Sequence, residues 1–474
     1  MVVLKIPHEL KKMNELFKKA GFKAYLVGGA VRDMILGKEA HDWDVATNAE
    51  PIQVMKIFHK VIPTGIAHGT VTVHFMKKEI EVTTFRGEGK YTDGRHPDSV
   101  YFASTIEEDL SRRDFTMNSI AADLDTGALI DPFCGEKDIS KKIIRTVGNP
   151  RERFLEDGLR PVRCIRFGSQ LKFCIEKDTY SEIFNIDVQK KIASISKERF
   201  RDEFIKILSS DEPSVGLKLL EETGILKIFI PELAECRGVM QKDARGFHKF
   251  DVLDHNFYAC DGAPKDNLTV RLAALFHDIG KKDTRTVCLE NLTDENGKTQ
   301  EVELVHFYRH ELFSEKITGE ILFRLKFSNA QIEKVCHLIK NHMFHYESSW
   351  SDSAVRKFIV RTGIENIDDL ILLNFADKYG STRTKIVPES PAVKLIFELK
   401  DRIKKAEEEN NVFSLKQLAV NGRDLIKIGY KPGKILGETL NELFQCVLKD
   451  PQMNEKTLLL KVAENILKKR NGEF

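Results

Sequence analysis

Apolar residues recur at helical spacing through residues 7–20, where Leu10, Met13, Leu16, Phe17 and Ala20 fall on one face. Pro7 suits the first turn of that helix. A short apolar strand is predicted at Ala24–Val27, then a Gly28-Gly29 turn and a helix over Val31–Leu36. Asp42–Val45 reads as a second short strand, and Pro51–His59 as a helix behind the Thr47-Asn48 cap signal. The β-branched runs Val71–Phe75 and Ile80–Thr84 flank Lys77-Lys78 and predict a hairpin. Arg86–Pro97 is polar, contains glycine and reads as a mobile loop. Strands return near Ala121–Asp123 and Leu129–Ile130, so the N-terminal part is a mixed α/β unit. From Arg151 onward the pattern is nearly all helical. Glu290–Gln300 is a polar, turn-rich insertion within it, and the charged run Lys404–Asn411 leads into a last helical segment, 412–474.

Composition narrows the class. At 474 residues the chain is expected to hold several domains. Its 42% hydrophobic content excludes a disordered polymer. A net charge of +2 means that any nucleic-acid surface must come from local clustering. No stretch approaches the roughly 20 apolar residues that span a bilayer, and no signal-peptide core is evident, so no membrane partner is expected. The eight cysteines are scattered singly with no C-x-x-C pair, which argues against zinc ribbons and redox motifs and fits a reducing cytoplasm. Nothing calls for an obligate protein partner.

The segment LVGGAVRDMILGKEAHDWDVAT carries the first chemistry. Asp42 and Asp44 lie two apart on a predicted strand, so both carboxylates share one face. Such a pair can hold Mg2+, a hard cation that takes oxygen ligands. Gly28-Gly29 precedes a helix and can turn backbone N–H groups toward phosphates, with Arg32 following. Together these features resemble the signature of the polymerase β-like nucleotidyltransferases, specifically the class II tRNA nucleotidyltransferases and their poly(A) polymerase relatives. GIAHGTVTVHF (65–75) and EIEVTTFRGEGKYTDGRHPDSVYFAS (79–104) resemble that family's strand pair and flexible loop. RRDFTMNSIA (112–121) resembles its second motif, which implies that Arg112, Arg113, Asp114 and Asn118 contact the nucleotide. DPFCGEKDI (131–139) resembles the head-to-neck motif, although the family often has glycine where Cys134 stands.

FLEDGLRPVRCIRF (154–167) is expected to place Glu156, Asp157 and Arg160 on one helix. A carboxylate accepts hydrogen bonds and a guanidinium donates them in a rigid fork. Such a pair can read the amine and ring acceptor that cytosine and adenine share. The family resemblance makes Asp157 and Arg160 the base-selecting pair and Glu156 the support of Arg160. ISKERFRDEF (195–204) resembles the next motif, in which Lys197, Glu198 and Arg199 brace a helix turn.

LTVRLAALFHDIGKKDTR (268–285) carries His277-Asp278, and His255, His310, His342 and Asp377 recur around it. This series resembles the HD phosphohydrolases. The resemblance implies that His255, His277, Asp278 and Asp377 bind one divalent transition metal, and that His310 and His342 extend the site to a second. Lys281 is placed to stabilise phosphate, whereas His306, His337 and His345 read as surface or core residues. The tail, 420–470, resembles the family's RNA-binding end, with Lys431 and Lys434 expected to meet tRNA phosphates.

The fold expected from these resemblances is α+β. A polymerase β-like nucleotidyltransferase head of mixed sheet and helices (1–140) is followed by an all-α neck (141–212), a body with the HD domain (213–400, HD about 245–385) and a tail (401–474). The resemblance implies addition of C, C and A to tRNA from CTP and ATP. A-only addition and poly(A) polymerase activity stay open, as does an HD phosphohydrolase whose head only binds RNA.

Overall fold

A computed structural model describes residues 3–40, 42–66, 69–87, 103–241, 249–293, 299–384, 387, 389–409 and 412–471. Most of the predicted loop 86–97 lies outside them. The chain divides into two compact units. One is Met1–Ala234 with Arg324–Lys326; the other is Glu235–Phe323 with Phe327–Phe474.

The first unit is organised by a mixed sheet. Its strands are β1 (Ala24–Val27), β2 (Trp43–Thr47), β3 (Val61–Gly65), β4 (Thr70–Phe75), β5 (Lys78–Thr84), β6 (Ala121–Asp123) and β7 (Leu129–Ile130). The order is β3-β4-β5-β2-β1-β6-β7. Strand β2 pairs with β5 in parallel, and the other neighbours are antiparallel. The central strand β1 buries Ala24, Leu26 and Val27, as a strand covered on both faces should. Met76 and Lys77 take left-handed φ values of 47° and 66° and turn β4 into β5. The amphipathic helix His8–Lys19 buries Leu10, Met13 and Phe17. Asp42 is not part of β2: pairing begins at Trp43↔Ile80, which leaves Asp42 exposed just before the strand.

Helices follow the head: Pro150–Glu156, Leu159–Leu171, Ile186–Ala193, Lys197–Leu208 and Pro213–Glu222. The expected continuous helix through Glu156, Asp157 and Arg160 is broken. Asp157 is extended (φ −142°, ψ 110°) and caps the end of the first helix. Gly158 caps the second and packs so closely that a Cβ would lie 2.4 Å from Lys191 O. The break explains Pro161, which falls in the first turn of the new helix, where no N–H partner is needed.

The region after the head is not purely helical. Strands β8 (Ile143–Ile144) and β9 (Cys174–Ile175) form a short parallel pair. In the second unit, β10 (Arg285–Thr293) and β11 (Thr299–Phe307) form a long antiparallel hairpin where a turn-rich insertion was expected. The alternating pattern of TVCLENLT and TQEVELVHF is satisfied by ladder hydrogen bonds, so helix is avoided there. Elsewhere this unit is helical. Helices Val252–Gly262, Leu268–Phe276, Asn329–Asn341 and Ile367–Thr382 pack on one another, and the last helices close over Leu425, Leu443, Val447 and Leu459. Among the described residues no helix is long and apolar enough to cross a membrane.

Candidate active site

Strand register builds the first site. Val27 stands opposite Asp44, and Asp44 opposite Glu81, so the end of β1 and the carboxylates of two strands meet beside the Gly28 turn. Gly28 has φ +73°, and a Cβ there would stand 3.1 Å from Asp44 Oδ2 and 3.3 Å from Arg113 Nη1. Glycine therefore serves both the backbone angle and the close approach. The Asp44 carboxyl is pushed up to about 6, by burial first and then by Glu81; Arg113 opposes this and Asp42 adds to it. Asp44, with Glu81 opposite it, offers the carboxylate oxygens that a hard divalent cation takes as ligands.

Opposite them lies a guanidinium-rich wall. Arg112 and Arg113 are both held by buried Asp109: Arg112 Nη2 donates to Oδ1 at 2.7 Å and Arg113 Nη2 to Oδ2 at 3.0 Å. Burial would raise the Asp109 carboxyl, but Arg113 and Arg112 overcome it and bring it down to about 2. Arg32 Nη1 donates to Asn118 Oδ1 at 2.8 Å. Asp114 accepts from Asn118 Nδ2 at 3.2 Å and from Arg163 Nε at 2.8 Å. Arg166 is anchored by Glu203, 2.6 Å away, and lies over the Phe167 ring.

The predicted base-reading pair is present but differently supported. Arg160 is fixed by an ion pair with Glu156 and by donation to the carbonyls of Arg153 and Arg112, each 3.0 Å away. The Asp157 carboxylate pairs with Arg199 instead of the Arg160 guanidinium; only the Arg160 backbone N–H meets the Asp157 carbonyl, at 3.0 Å. The carboxylate accepts Arg199 Nη1 and Nη2, at 3.0 and 2.7 Å, and the Leu159 N–H at 3.0 Å. All of this converges on one cleft of about 560 Å³. Gly28, Gly29, Arg32, Asp44, Arg112, Arg113, Asp114, Asn118, Asp157 and Arg160 line it; Asp42 and Glu156 do not. Among the described residues eight arginines and no lysine face the cleft, a composition suited to forked recognition of phosphate oxygens.

Sequence reasoning missed Glu81, Arg163 and Arg166 as cleft residues, and it gave Arg199 a bracing role only. The signals were weak: Glu81 alternates with apolar residues as any solvated strand face does, and arginines at helical spacing read as an exposed stripe.

The second unit brings all six predicted histidine and aspartate positions together. His277 and His342 sit at helix C-termini, His310 begins a helix, and His255 and Asp377 lie within helices. Asp278 joins two groups. Its Oδ2 lies 3.3 Å from His255 Nε2 and 3.4 Å from His277 Nε2; its Oδ1 lies 3.2 Å from His310 Nε2 and 3.8 Å from His342 Nε2. Asp377 Oδ1 completes the first group, 3.2 Å from His255 and 3.6 Å from His277. The Nδ1 atoms of His277, His310 and His342 face the carbonyls of Ala274, Phe307 and Ile339 at 2.7–2.9 Å. A carbonyl can only accept, so Nδ1 carries the proton and Nε2 the lone pair. His310 and His342 therefore aim lone pairs at each other across 3.3 Å, an arrangement that a shared cation makes favourable. Lys281, expected to meet phosphate, is buried and donates to Gln241 Oε1 at 2.7 Å, with Asp278 Oδ2 2.6 Å away. In the tail, Lys431 and Lys434 are both exposed, and Lys434 opens the helix Lys434–Lys449.

Comparison with known proteins adds to this geometry. The family model for the poly(A) polymerase head domain matches residues 24–145. The model described as the probable RNA and SrmB-binding site of polymerase A matches 172–237, and that for tRNA nucleotidyltransferase domain 2 matches 307–463. The chain is 34% identical to a CCA-adding enzyme of Ligilactobacillus salivarius over 99% of this chain and 100% of that one. It is 31% identical to a CCA-adding enzyme of Enterococcus faecalis over 98% of each. A crystal structure of the Bacillus stearothermophilus CCA-adding enzyme in complex with CTP superposes with a TM-score of 0.71 at 28% identity, covering 98% of both chains.

Proposed function

The chain belongs to the family of CCA-adding enzymes, and from that premise we infer that it completes tRNA 3′ ends by adding C, C and A from CTP and ATP. One observation carries the assignment of roles: the Asp44 carboxylate and the base-reading side chains Asp157 and Arg160 line a single arginine-rich cleft. In each round the tRNA 3′-oxygen forms a bond to the α-phosphorus, and the bond to the bridging oxygen breaks as pyrophosphate leaves. Asp42 and Asp44, with Glu81 opposite Asp44, would hold Mg2+, and the bound ion would supply activation of the hydroxyl and neutralisation of the leaving group. Arg32, Arg112 and Arg113 hold the triphosphate, and Asp114 and Asn118 position the sugar.

Base choice follows from counting lone pairs. A carboxylate offers roughly four acceptor sites. In Asp157 two are taken by Arg199 and one by the Leu159 N–H. The site left over suits one exocyclic amine, which cytosine and adenine offer next to a ring acceptor for Arg160. Uracil would aim a carbonyl at Asp157, leaving both groups unpaired at a cost of about 1–3 kcal/mol.

The second unit we read as an HD-type, metal-dependent phosphohydrolase. Its mixed imidazole and carboxylate donors fit divalent transition metals: one held by His255, His277, Asp278 and Asp377, the other by Asp278, His310 and His342. Ions bound there would supply an activated water for attack on a phosphoester. We further take 1–140 as the head, 141–212 as the neck, 213–400 as the body with the HD domain and 401–474 as a tail whose Lys431 and Lys434 meet tRNA. The eight cysteines without disulfides favour a cytoplasmic setting. Separate Asp42→Ala and Asp278→Ala variants, each assayed for CMP/AMP incorporation and for phosphoester hydrolysis, test this division. Each variant is expected to lose one activity and keep the other; loss of both in either would contradict it.

A further inference from the structure

Apart from Phe307, whose carbonyl meets His310 Nδ1, the described residues of the β10–β11 hairpin contribute to neither centre. Its register sets Thr286 opposite His306, Cys288 opposite Leu304 and Glu290 opposite Val302. Cys288, Glu290 and His306 therefore rise from one face of the ribbon, two from one strand and one from the other. Their donor atoms converge: His306 Nε2 is 3.0 Å and Cys288 Sγ 3.3 Å from Glu290 Oε1, and all three lie within 4.8 Å of one another. The His306 ring is steadied by Tyr308, stacked at 5.2 Å with an 8° interplanar angle.

We propose that this face is a third metal site, taking one divalent cation of the zinc class on Cys288 Sγ, His306 Nε2 and a Glu290 oxygen, with water in the fourth position. The donor set selects the class. A thiolate beside an imidazole is accepted by borderline cations and refused by Mg2+ and Ca2+. The separations agree as well. Bonds of about 2.0–2.3 Å in a tetrahedron place neighbouring donors roughly 3.3–3.7 Å apart, so the three side chains need only small rotations. A reason for such a site is at hand: beyond buried Leu304 and Val305 most described residues of the ribbon are exposed, and a cation bound from both strands would tie it together there. Binding replaces the Cys288 S–H bond with a metal–sulfur bond and releases one proton to solvent. Without a metal, the His306–Glu290 ion pair and a Cys288 thiol donating to Glu290 Oε1 would give the same contacts, and the two arrangements differ in whether the sulfur bonds a cation.

The sulfur provides the test, because the histidine–aspartate centre has no cysteine ligand. Full-length protein is titrated with Co2+ and followed by its near-ultraviolet thiolate-to-cobalt charge-transfer band, with circular dichroism confirming that each variant is folded. The band is expected to appear, to vanish in Cys288→Ser, to require about tenfold or more Co2+ in His306→Ala, and to persist in His277→Ala. Absence of the band, its survival in Cys288→Ser, its loss in His277→Ala, or an unchanged Co2+ requirement in His306→Ala would overturn the proposal.

Discussion

Arg199 grips Asp157 with both ends of its fork, Nη1 to Oδ1 at 3.0 Å and Nη2 to Oδ2 at 2.7 Å. The contact fixes the direction of the carboxylate proposed to select the base, although Arg199 itself lies in a separate helix, Lys197–Leu208. Arg199→Ala is expected to lower kcat/KM for CTP and ATP by about tenfold to a hundredfold, the worth of charge-assisted hydrogen bonds, and to raise UTP misincorporation. Arg199→Lys should recover only part of this, since an ammonium cannot make the paired contact. Steady-state incorporation with each nucleotide reads both effects.

Gly28→Ala should be nearly inactive while still folded. A φ of +73° with ψ −141° is backbone that glycine alone adopts readily, costing another residue on the order of 1–3 kcal/mol, and the new methyl would press on Asp44 Oδ2 and Arg113 Nη1. A melting temperature lowered by a few degrees, together with a large loss of CMP incorporation, is the expected pair of results.

Acid should release the arginine clamp. The Asp109 carboxyl is brought down to about 2 in the folded chain, against an ordinary value near 3.8. A depressed carboxyl stabilises the fold above its unfolded value and loses that contribution as pH falls through its folded value. Asp109 thus contributes about 2 kcal/mol at neutral pH, lost between roughly pH 4 and 2. Melting curves across that range should show a shallower acid loss in Asp109→Asn, which is less stable at neutral pH from the start.

His310→Ala should separate the two chemistries. It removes an Nε2 donor that faces both His342 and Asp278, so hydrolysis of a phosphoester substrate should fall by at least about tenfold. CMP and AMP incorporation should be unchanged. Chelation of the wild type followed by transition-metal readdition should restore hydrolysis, but restore it poorly in the variant.

Much of this was legible in the residues, for physical reasons that differ from element to element. Strand β1 matched its predicted bounds because a run buried on both faces has no polar alternation to blur its ends. The six histidine and aspartate positions were legible only through the resemblance of their spacing to the HD phosphohydrolases, and the fold brings all six together. Strand β3 escaped notice: VIPTG has a proline at its centre and exposed side chains, and its edge position is sustained by pairing with β4. Helix spacing alone put Asp157 and Arg160 on one face; the extended Asp157 and the close packing of Gly158 against Lys191 separated them. Glu81 became a site residue only through the parallel register that sets it beside Asp44. That is a relation between distant segments, and no local pattern encodes it.

Extension of purified tRNAs ending at the discriminator base, at C and at CC, with CTP and ATP supplied singly and together, tests the central claim most directly. CTP alone should extend the first two substrates to CC, ATP alone should extend only the third, and both together should bring all three to CCA and stop. Long A tails on unrelated RNA, A-only addition, or equal use of UTP would contradict the account.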